Sequence, residues 1–190
     1  MPRKQRQSAR ARRNGAGGEG RRRARGRRRR WTRGKCKPRV SPPRRHLQLS
    51  TNNIDKIGVA FTGLKNLKIL SLGRNVIKKI EKLDDLGDTL EELWMSYNQI
   101  SALEGLHAMT NLTTLYMSNN NLKNFAELEK IASLPNLRDV LFVGNPMYEG
   151  LSPTEARIEV LRRLPNLAKI DGAMVLQRDR DEAAAAQAEE

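Results

Sequence analysis

LKILSLGRNVIKKI, residues 67–80, recurs in pattern as LEELWMSYNQISAL at residues 90–103 and as LTTLYMSNNNLKNF at residues 112–125. In each stretch apolar residues occupy positions 1, 4, 6, 11 and 14, and an asparagine occupies position 9. Partial copies lie at residues 47–57 and 137–147. The five asparagines of this pattern are 23, 23, 22 and 25 residues apart, so the sequence predicts one structural unit repeated along the chain.

The length and composition of this unit indicate the fold. A period of roughly 20–29 residues with a leucine and asparagine frame is typical of leucine-rich repeats. The two leucines of residues 70–72 (LSL) alternate as in a short strand, with both leucines inward and Ser71 on the outer face. Apolar residues at three-residue intervals after each asparagine favour short helices or 3-10 turns. The sequence therefore predicts an α/β, right-handed solenoid with a parallel concave sheet and these turns on its convex side.

The repeated asparagine has a structural explanation. The chain turns sharply at the end of each strand, which leaves backbone donors and acceptors inside the coil without a strand partner. One amide side chain can both donate to and accept from such groups. We therefore expect a ladder of side-chain hydrogen bonds through the stacked coils, formed by Asn52, Asn75, Asn98, Asn120 and Asn145.

The C-terminal end of the repeats has a recognisable cap. Residues 152–155 (SPTE) form a capping box with proline at the first helical position, followed by apolar residues at helical spacing. Leu167 and Ile170 can add a final half-repeat before Asp171. The prediction is a leucine-rich-repeat domain with a C-terminal helical cap over residues 47–172, followed by a charged, alanine-rich segment at residues 173–190.

The segment before the repeats has a different composition. Residues 1–46 contain 20 of the 36 Lys and Arg residues and one of the 21 acidic residues, so their formal charge is +19, whereas the remainder carries −4. We expect a basic, disordered tail that attracts polyanions, so nucleic acid is an expected partner only if this tail is functional. No N-terminal cap is recognisable, so either a partner covers the apolar edge of the first coil or residues 1–46 are not the authentic N-terminus of the working protein. The abrupt change of composition favours the second interpretation.

The outward positions of the predicted strands suggest a binding surface. Three outward residues, Trp94, Tyr116 and Leu141, should lie side by side on neighbouring strands, about 5 Å apart. Exposed apolar and aromatic patches of this kind usually mark protein interfaces. The alternative is that Trp94 packs beneath a loop or the cap. The predicted face comprises Ile69, Trp94, Tyr116, Leu141 and Val143.

No residue pattern points to catalysis. The two histidines, His46 and His107, have no nucleophile or metal-ligand pattern around them, and Cys36 has no partner for a disulfide. Phosphate-binding and dinucleotide-binding motifs are absent from the sequence. No stretch approaches the roughly 18 consecutive apolar residues of a membrane-spanning helix. We expect a protein that is not an enzyme, with no cofactor, no small-molecule substrate and no membrane partner.

Several stretches of the repeats resemble one family far more closely than generic leucine-rich repeats. They are residues 70–75 (LSLGRN), 86–94 (LGDTLEELW), 115–120 (LYMSNN) and 142–146 (FVGNP). They are similar, almost letter for letter, to the axonemal outer-arm dynein light chain 1 family. The resemblance covers about residues 47–172. Before it, the family has a helix and an additional first coil where this chain has its basic tail.

This resemblance implies a non-catalytic regulatory light chain of outer-arm axonemal dynein. Such a chain binds the dynein heavy chain near its microtubule-binding region, with tubulin or the microtubule nearby, and tunes ciliary or flagellar motility. It implies a location in the cytoplasm, the cytoskeleton and the axoneme of a cilium or flagellum. Carried over by position, Trp94, Tyr116, Leu141 and Val143 would contact the heavy chain. Met174, Arg178 and Arg180 would lie near the microtubule.

Two other functions remain open from the sequence. Similar short repeats occur in a spliceosomal leucine-rich protein, so a nuclear or RNA-associated adaptor is one alternative, with the arginine-rich tail as a nuclear localisation or RNA-binding segment. A regulatory subunit of a protein phosphatase is the other, because its repeats have nearly the same period.

Overall fold

The computed structural model describes residues 44–58, 61 and 63–188. Most of the predicted basic tail, residues 1–43, lies outside the described residues. The strands and helices are β1 (His46–Gln48), β2 (Ile69–Ser71), β3 (Glu92–Trp94), β4 (Thr114–Tyr116), β5 (Asp139–Leu141), α1 (Pro153–Arg163), β6 (Lys169–Ile170), β7 (Ala173–Met174) and α2 (Gln177–Ala188).

The described strands form one sheet in chain order, from β1 to β7. Strands β1 to β6 are parallel to their neighbours, and β7 pairs antiparallel with β6. Each repeat contributes one three-residue strand, and the rest of the repeat returns the chain to the start of the next one. The structure thus confirms the predicted leucine-rich-repeat solenoid with its parallel sheet.

The core lies behind the sheet, where the inward residues of successive coils stack. Leu70, Leu93, Leu115 and Val140 are paired in register across four strands, and each is fully buried. Their counterpart in the first coil, Leu47, is only half-buried because no described coil precedes it. Burial of the apolar frame therefore depends on a neighbour on each side, as expected of a solenoid.

Buried asparagine side chains connect successive coils. Asn98 donates from Nδ2 to Met95 O (3.0 Å) and Leu72 O (3.1 Å), and its Oδ1 accepts from Ile77 N (3.1 Å). Asn75, Asn120 and Asn145 repeat the same three contacts at 2.6–3.2 Å. Asn52 is exposed and donates only to Leu49 O and Ser50 O of its own coil. The amides serve backbone groups that the turn leaves without strand partners.

The return segments contain short 3-10 helices at Asp84–Leu86, Phe125–Ile131 and Pro146–Tyr148. Each turns at least one apolar side chain inward, including Leu86, Leu128 and Met147, which are buried. The apolar residues at three-residue spacing explain this geometry, because side chains at i and i+3 nearly eclipse in a 3-10 helix.

Helix α1 closes the last coil, and its start is the predicted capping box. The Ser152 hydroxyl accepts from Glu155 N (3.2 Å), and the Glu155 carboxylate accepts from Ser152 N (2.7 Å). Val160 and Leu161 face the core, where both are buried. After α1 the chain forms β6, β7 and α2, and α2 packs against α1.

Two arginines join the segment after residue 170 to helix α1 and the residues that follow it. Arg157 on α1 donates to the carbonyls of Ile170, Ala173 and Met174 at 3.1–3.4 Å, and its Nε lies 3.5 Å from Asp179 Oδ2 on α2. Arg180 on α2 donates back to Pro165 O and Leu167 O. A strand pair, an ion pair and several hydrogen bonds therefore join residues 173–188 to α1 and β6, and we use the name C-terminal cap below for α1, β6, β7 and α2 together.

Candidate protein-binding surface

The sheet register brings the predicted aromatic residues together. Trp94 pairs with Tyr116 and Tyr116 with Leu141 across β3, β4 and β5, and Val143 follows Leu141 by two residues. The Trp94 and Tyr116 rings are stacked, with centroids 5.8 Å apart and an interplanar angle of 26°. We call Trp94, Tyr116, Leu141 and Val143 the aromatic strip.

The aromatic strip is accessible on the sheet face. Trp94 is 39% exposed and Val143 is 49% exposed, while Tyr116 and Leu141 are half-buried. Trp94 therefore does not pack beneath a loop or the cap, which was the alternative to an exposed position. The predicted member Ile69 is half-buried on β2, where it pairs with Glu92 of β3.

One outward residue is less accessible than the sequence pattern implied. Ser71 is only 6% exposed, and its hydroxyl lies 2.6 Å from that of Ser50. Its short side chain lies in register between Gln48 and the much larger Trp94. Gln48 and Trp94, which pair with Ser71 on either side, are both exposed, so the exposed surface along the middle residues of the strands is interrupted at Ser71.

Two carboxylates, each on the first residue of its strand, accept hydrogen bonds from the two aromatic rings. The Tyr116 hydroxyl donates to Asp139 Oδ2 (3.1 Å), and Lys169 Nζ donates to the same oxygen (3.1 Å). Trp94 Nε1 donates to Glu92 Oε2 (3.1 Å). Both polar ring atoms are thus satisfied within the sheet, which leaves the ring faces as the surface that a partner can cover.

The hydrogen bonds that Tyr116 and Lys169 make to Asp139 also change the pKa values of Tyr116 and Lys169. Burial and the hydrogen bond to Asp139 raise the pKa of Tyr116, so the phenol stays protonated at neutral pH. The hydrogen bond and charge of Asp139 raise the pKa of Lys169, which keeps the amine charged. Tyr116 and Lys169 therefore both remain protonated at neutral pH.

Exposed residues in the turns that follow the strands border the aromatic strip. Arg74, Tyr97 and Asn119 have positive φ angles of 56°, 59° and 53°, in the turn that precedes each buried asparagine. The Arg74 guanidinium lies 5.1 Å from the centroid of the Tyr97 ring, which is within cation–π range. This border is polar and aromatic, as in the rim of a protein interface.

The C-terminal residues of interest are in different environments. Met174 on β7 is 63% exposed, and Arg178 on α2 is also exposed. Arg180 is half-buried, because its guanidinium donates to the carbonyls that follow α1. Met174 and Arg178 line the same groove beside the cap, whereas the guanidinium of Arg180 contacts the segment after α1.

The described residues contain neither a cluster of metal-binding side chains nor a helix that could span a membrane. No group of three or more His, Cys, Asp or Glu residues within residues 44–58, 61 and 63–188 is placed to hold a metal ion. None of the helices in this part of the chain is long and apolar enough to cross a membrane.

Comparison with known proteins identifies the family. The chain is 54% identical over 143 residues to dynein axonemal light chain 1 of Chlamydomonas reinhardtii, which covers 73% of this chain and 72% of the relative. It is 53% identical over 137 residues to the protein of the same name from Homo sapiens, covering 72% of each chain. The chain belongs to the dynein axonemal light chain 1 family.

The repeats of this member of the dynein axonemal light chain 1 family match two family models. "Leucine rich repeat" matches residues 45–100, and "Leucine Rich repeats (2 copies)" matches residues 88–130. Among solved structures, it is similar to the Drosophila melanogaster SNF/U2A' complex, with a TM-score of 0.65 and 26% identity over 74% of this chain and 79% of that chain. The matches agree with the solenoid.

The two alternative functions are not favoured for this member of the dynein axonemal light chain 1 family. The relatives that carry the dynein light chain name are 47–54% identical to it, whereas the similar chain of the SNF/U2A' complex is 26% identical. The resemblance noted from the repeats is therefore confirmed, and the chain has a dynein light chain role.

Sequence reasoning did not find every residue that shapes this surface. Asp139 and Lys169 lie 30 residues apart, and the Tyr116 ring meets them only through the sheet register. The repeat pattern does indicate that Asp139 is an outward residue, but no sequence signal pairs it with Lys169, because β6 follows the cap helix and not a complete repeat.

Proposed function

We propose that this chain is a non-catalytic regulatory light chain that binds an axonemal dynein heavy chain through the aromatic strip. The observation that supports the proposal most directly is the stacked Trp94 and Tyr116 pair, which exposes apolar ring faces while its polar atoms are satisfied within the sheet. Large aromatic residues in such a position supply much of the binding energy of protein interfaces.

The relatives are named as axonemal dynein light chains, which supports placing this chain in the axoneme of a cilium or flagellum. ATP hydrolysis would then belong to the heavy chain, and the light chain would tune attachment of the motor to the microtubule. By analogy with the family, the light chain would bind the heavy chain near the microtubule-binding end of its stalk. Tubulin would lie close to the C-terminal cap.

A direct binding measurement tests the aromatic strip. The ligand is a purified heavy-chain fragment that contains the stalk and the microtubule-binding region. We expect a Trp94→Ala, Tyr116→Ala variant to bind at least about thirtyfold more weakly, or roughly 2 kcal/mol, because both aromatic anchors are lost. A variant with Lys78→Ala and Lys79→Ala, two exposed residues outside the sheet, is the control.

The two outcomes lead to different conclusions. Equal binding by the aromatic variant and the protein, with both folded by circular dichroism, would contradict the assignment of the aromatic strip. Absence of binding by the unaltered protein would contradict the heavy-chain role itself.

The proposed position near tubulin needs a separate test. We expect Arg178→Glu to weaken the microtubule affinity of the assembled heavy-chain complex, because it replaces an exposed positive charge that faces an acidic polymer. Arg178 is preferable to Arg180 for this purpose, since Arg180 is bonded to backbone carbonyls of the cap. Unchanged microtubule affinity in a co-sedimentation assay would remove this part of the proposal.

A further inference from the structure

A large groove lies where the fifth coil meets the C-terminal cap. Its volume is about 1230 Å³. One wall is the turn after β5, at residues 143–151, and the other is formed by β7 and the first half of α2. The start of α1 closes one side. The groove is larger than the roughly 300–1,000 Å³ of a typical small-molecule site.

Exposed apolar side chains are concentrated in this groove. Within the described residues, six large hydrophobic side chains are exposed, and four of them line the groove: Val143, Leu151, Met174 and Leu176. Their exposed fractions range from 37% to 63%. A concentration of this kind is uncommon on a monomer surface and indicates a binding site.

The polar groups of the groove floor are already paired. The Asp171 carboxylate accepts from Phe142 N (2.6 Å), Val143 N (3.0 Å) and the Tyr148 hydroxyl (2.8 Å). Burial and the negative charge of Asp171 raise the pKa of Tyr148, so this hydroxyl remains a donor. These contacts fix the walls in place and satisfy the floor internally. The polar atoms of Asp171 and Tyr148 are therefore engaged within the protein, and the exposed apolar side chains remain available to a partner.

The groove is continuous with the aromatic strip, because Val143 belongs to both. Its exposed charged residues have both signs: Glu149 on the coil side, and Arg178 and Glu182 on α2. An α-helix with its side chains is about 10–12 Å wide, and amphipathic helices commonly bind by placing an apolar stripe in a groove. A partner that binds the aromatic strip can therefore place a helix in the groove as well, and the two contact surfaces are then continuous.

We propose that this groove binds an amphipathic helix of the dynein heavy chain, with apolar side chains against Leu151, Met174 and Leu176, and basic residues beside Glu149 and Glu182. The inference rests on the proposed function, and it extends the heavy-chain interface from the sheet to the C-terminal cap. The cap thereby acts as a second binding element in addition to closing the core.

Binding of the same heavy-chain stalk fragment to the full chain tests the groove. We expect a Leu151→Glu, Met174→Glu variant to bind at least about tenfold more weakly, because two carboxylates replace apolar contacts. The matched control is Ala184→Glu, which adds a carboxylate at an exposed position of α2 that does not line the groove. The control should bind like the unaltered protein.

The results separate the two proposals. If the unaltered protein binds, the aromatic variant is weakened and the groove variant is not, the groove inference is overturned while the heavy-chain role stands. If the unaltered protein does not bind, both proposals fail. Equal weakening by Ala184→Glu and the groove variant would also overturn the groove inference.

Hydrogen exchange on the unaltered protein gives a measurement that does not depend on folding of a variant. We expect the heavy-chain fragment to slow amide exchange at residues 147–151 and 172–177 as well as in β3 to β5. Slowing confined to the sheet would overturn the groove inference.

Discussion

At the scale of single residues, the amide of asparagine is used where both a donor and an acceptor are needed. Asn98 accepts one backbone N–H and donates to carbonyls in two successive coils. Asp171, at the end of the last parallel strand, only accepts: two backbone N–H groups and the Tyr148 hydroxyl donate to it. A carboxylate is sufficient there because the hydrogen bonds of Asp171 require only an acceptor.

We expect Asn98→Ala to lower the free energy of unfolding by roughly 1–3 kcal/mol, because buried backbone groups of two coils lose their partner. Asn52→Ala is the matched control, since Asn52 is exposed and serves only its own coil. It should change stability by less than about 0.5 kcal/mol. Equal effects of the two substitutions in urea unfolding would contradict the coil-to-coil role of Asn98.

The charge of Glu159 on α1 provides a pH-dependent prediction. Partial burial raises its pKa, but hydrogen bonds and charge from Arg163 and Arg162 outweigh burial, and the pKa lies below its ordinary value. A group whose pKa is lower in the folded state stabilises the fold above its unfolded pKa of about 4.3, and this stabilisation is lost as the pH falls through the folded pKa.

We therefore expect the stability difference between the protein and Glu159→Gln to be greatest above about pH 5 and to shrink toward pH 3. Urea unfolding at a series of pH values measures it, with Asp85→Asn, an exposed position, as the control. A difference that is independent of pH would show that the two arginine contacts do not depend on the charge of Glu159.

At the scale of elements, the C-terminal cap combines short segments that no repeat pattern describes. β6 continues the parallel sheet, β7 reverses direction, and α2 lies against α1. Among the described side chains of α2, only Ala183 belongs to the buried hydrophobic core, so apolar burial contributes little to the position of this helix. The hydrogen bonds of Arg157 and Arg180, with the Arg157–Asp179 ion pair, must therefore supply much of it.

We expect Arg157→Ala to accelerate amide hydrogen exchange across residues 173–188 at least about tenfold, because three carbonyl contacts and one ion pair of Asp179 are removed together. Exchange in β2 to β4 should be unaffected, since stability in a solenoid is largely local. Lys123→Ala, which removes an exposed basic side chain outside residues 153–188, is the control. Exchange in α2 that stays slow in Arg157→Ala would show that other contacts hold the helix.

At the scale of the whole molecule, the charge is divided between two parts of the chain. Residues 1–46 carry +19 and the remainder carries −4, so the net charge of +15 is a property of the N-terminal segment. The binding surfaces proposed above lie entirely in the remainder. Heavy-chain binding and attraction to polyanions should therefore be separable.

Deletion of residues 1–43 should leave heavy-chain affinity unchanged and abolish binding to heparin or nucleic acid at physiological salt, because nonspecific polyanion binding scales with the number of basic contacts. The deleted segment ends before β1, so the whole sheet is retained. A titration of both ligands against the full and truncated proteins measures the effect. Loss of heavy-chain binding by a folded truncation would contradict a surface confined to the sheet and cap.

The sequence by itself determined the solenoid, because its stability comes from contacts between neighbouring copies of one short pattern. The spacing of Asn75, Asn98 and Asn120 fixes the coil length, and equal coils place Trp94 beside Tyr116. The capping box at Ser152 is also local in sequence, so its prediction is confirmed without reference to the rest of the fold.

Only the tertiary structure decided which particular side chains meet across the sheet and at the C-terminal cap. The covering of Ser71, the shared contact of Tyr116 and Lys169 with Asp139, and the internal role of Arg180 each depend on which side chains the sheet and cap bring into contact. The groove exists because β7 and α2 fold back beside the fifth coil. The contacts made by β6, β7 and α2 join residues without a fixed spacing, so no periodic pattern can encode them.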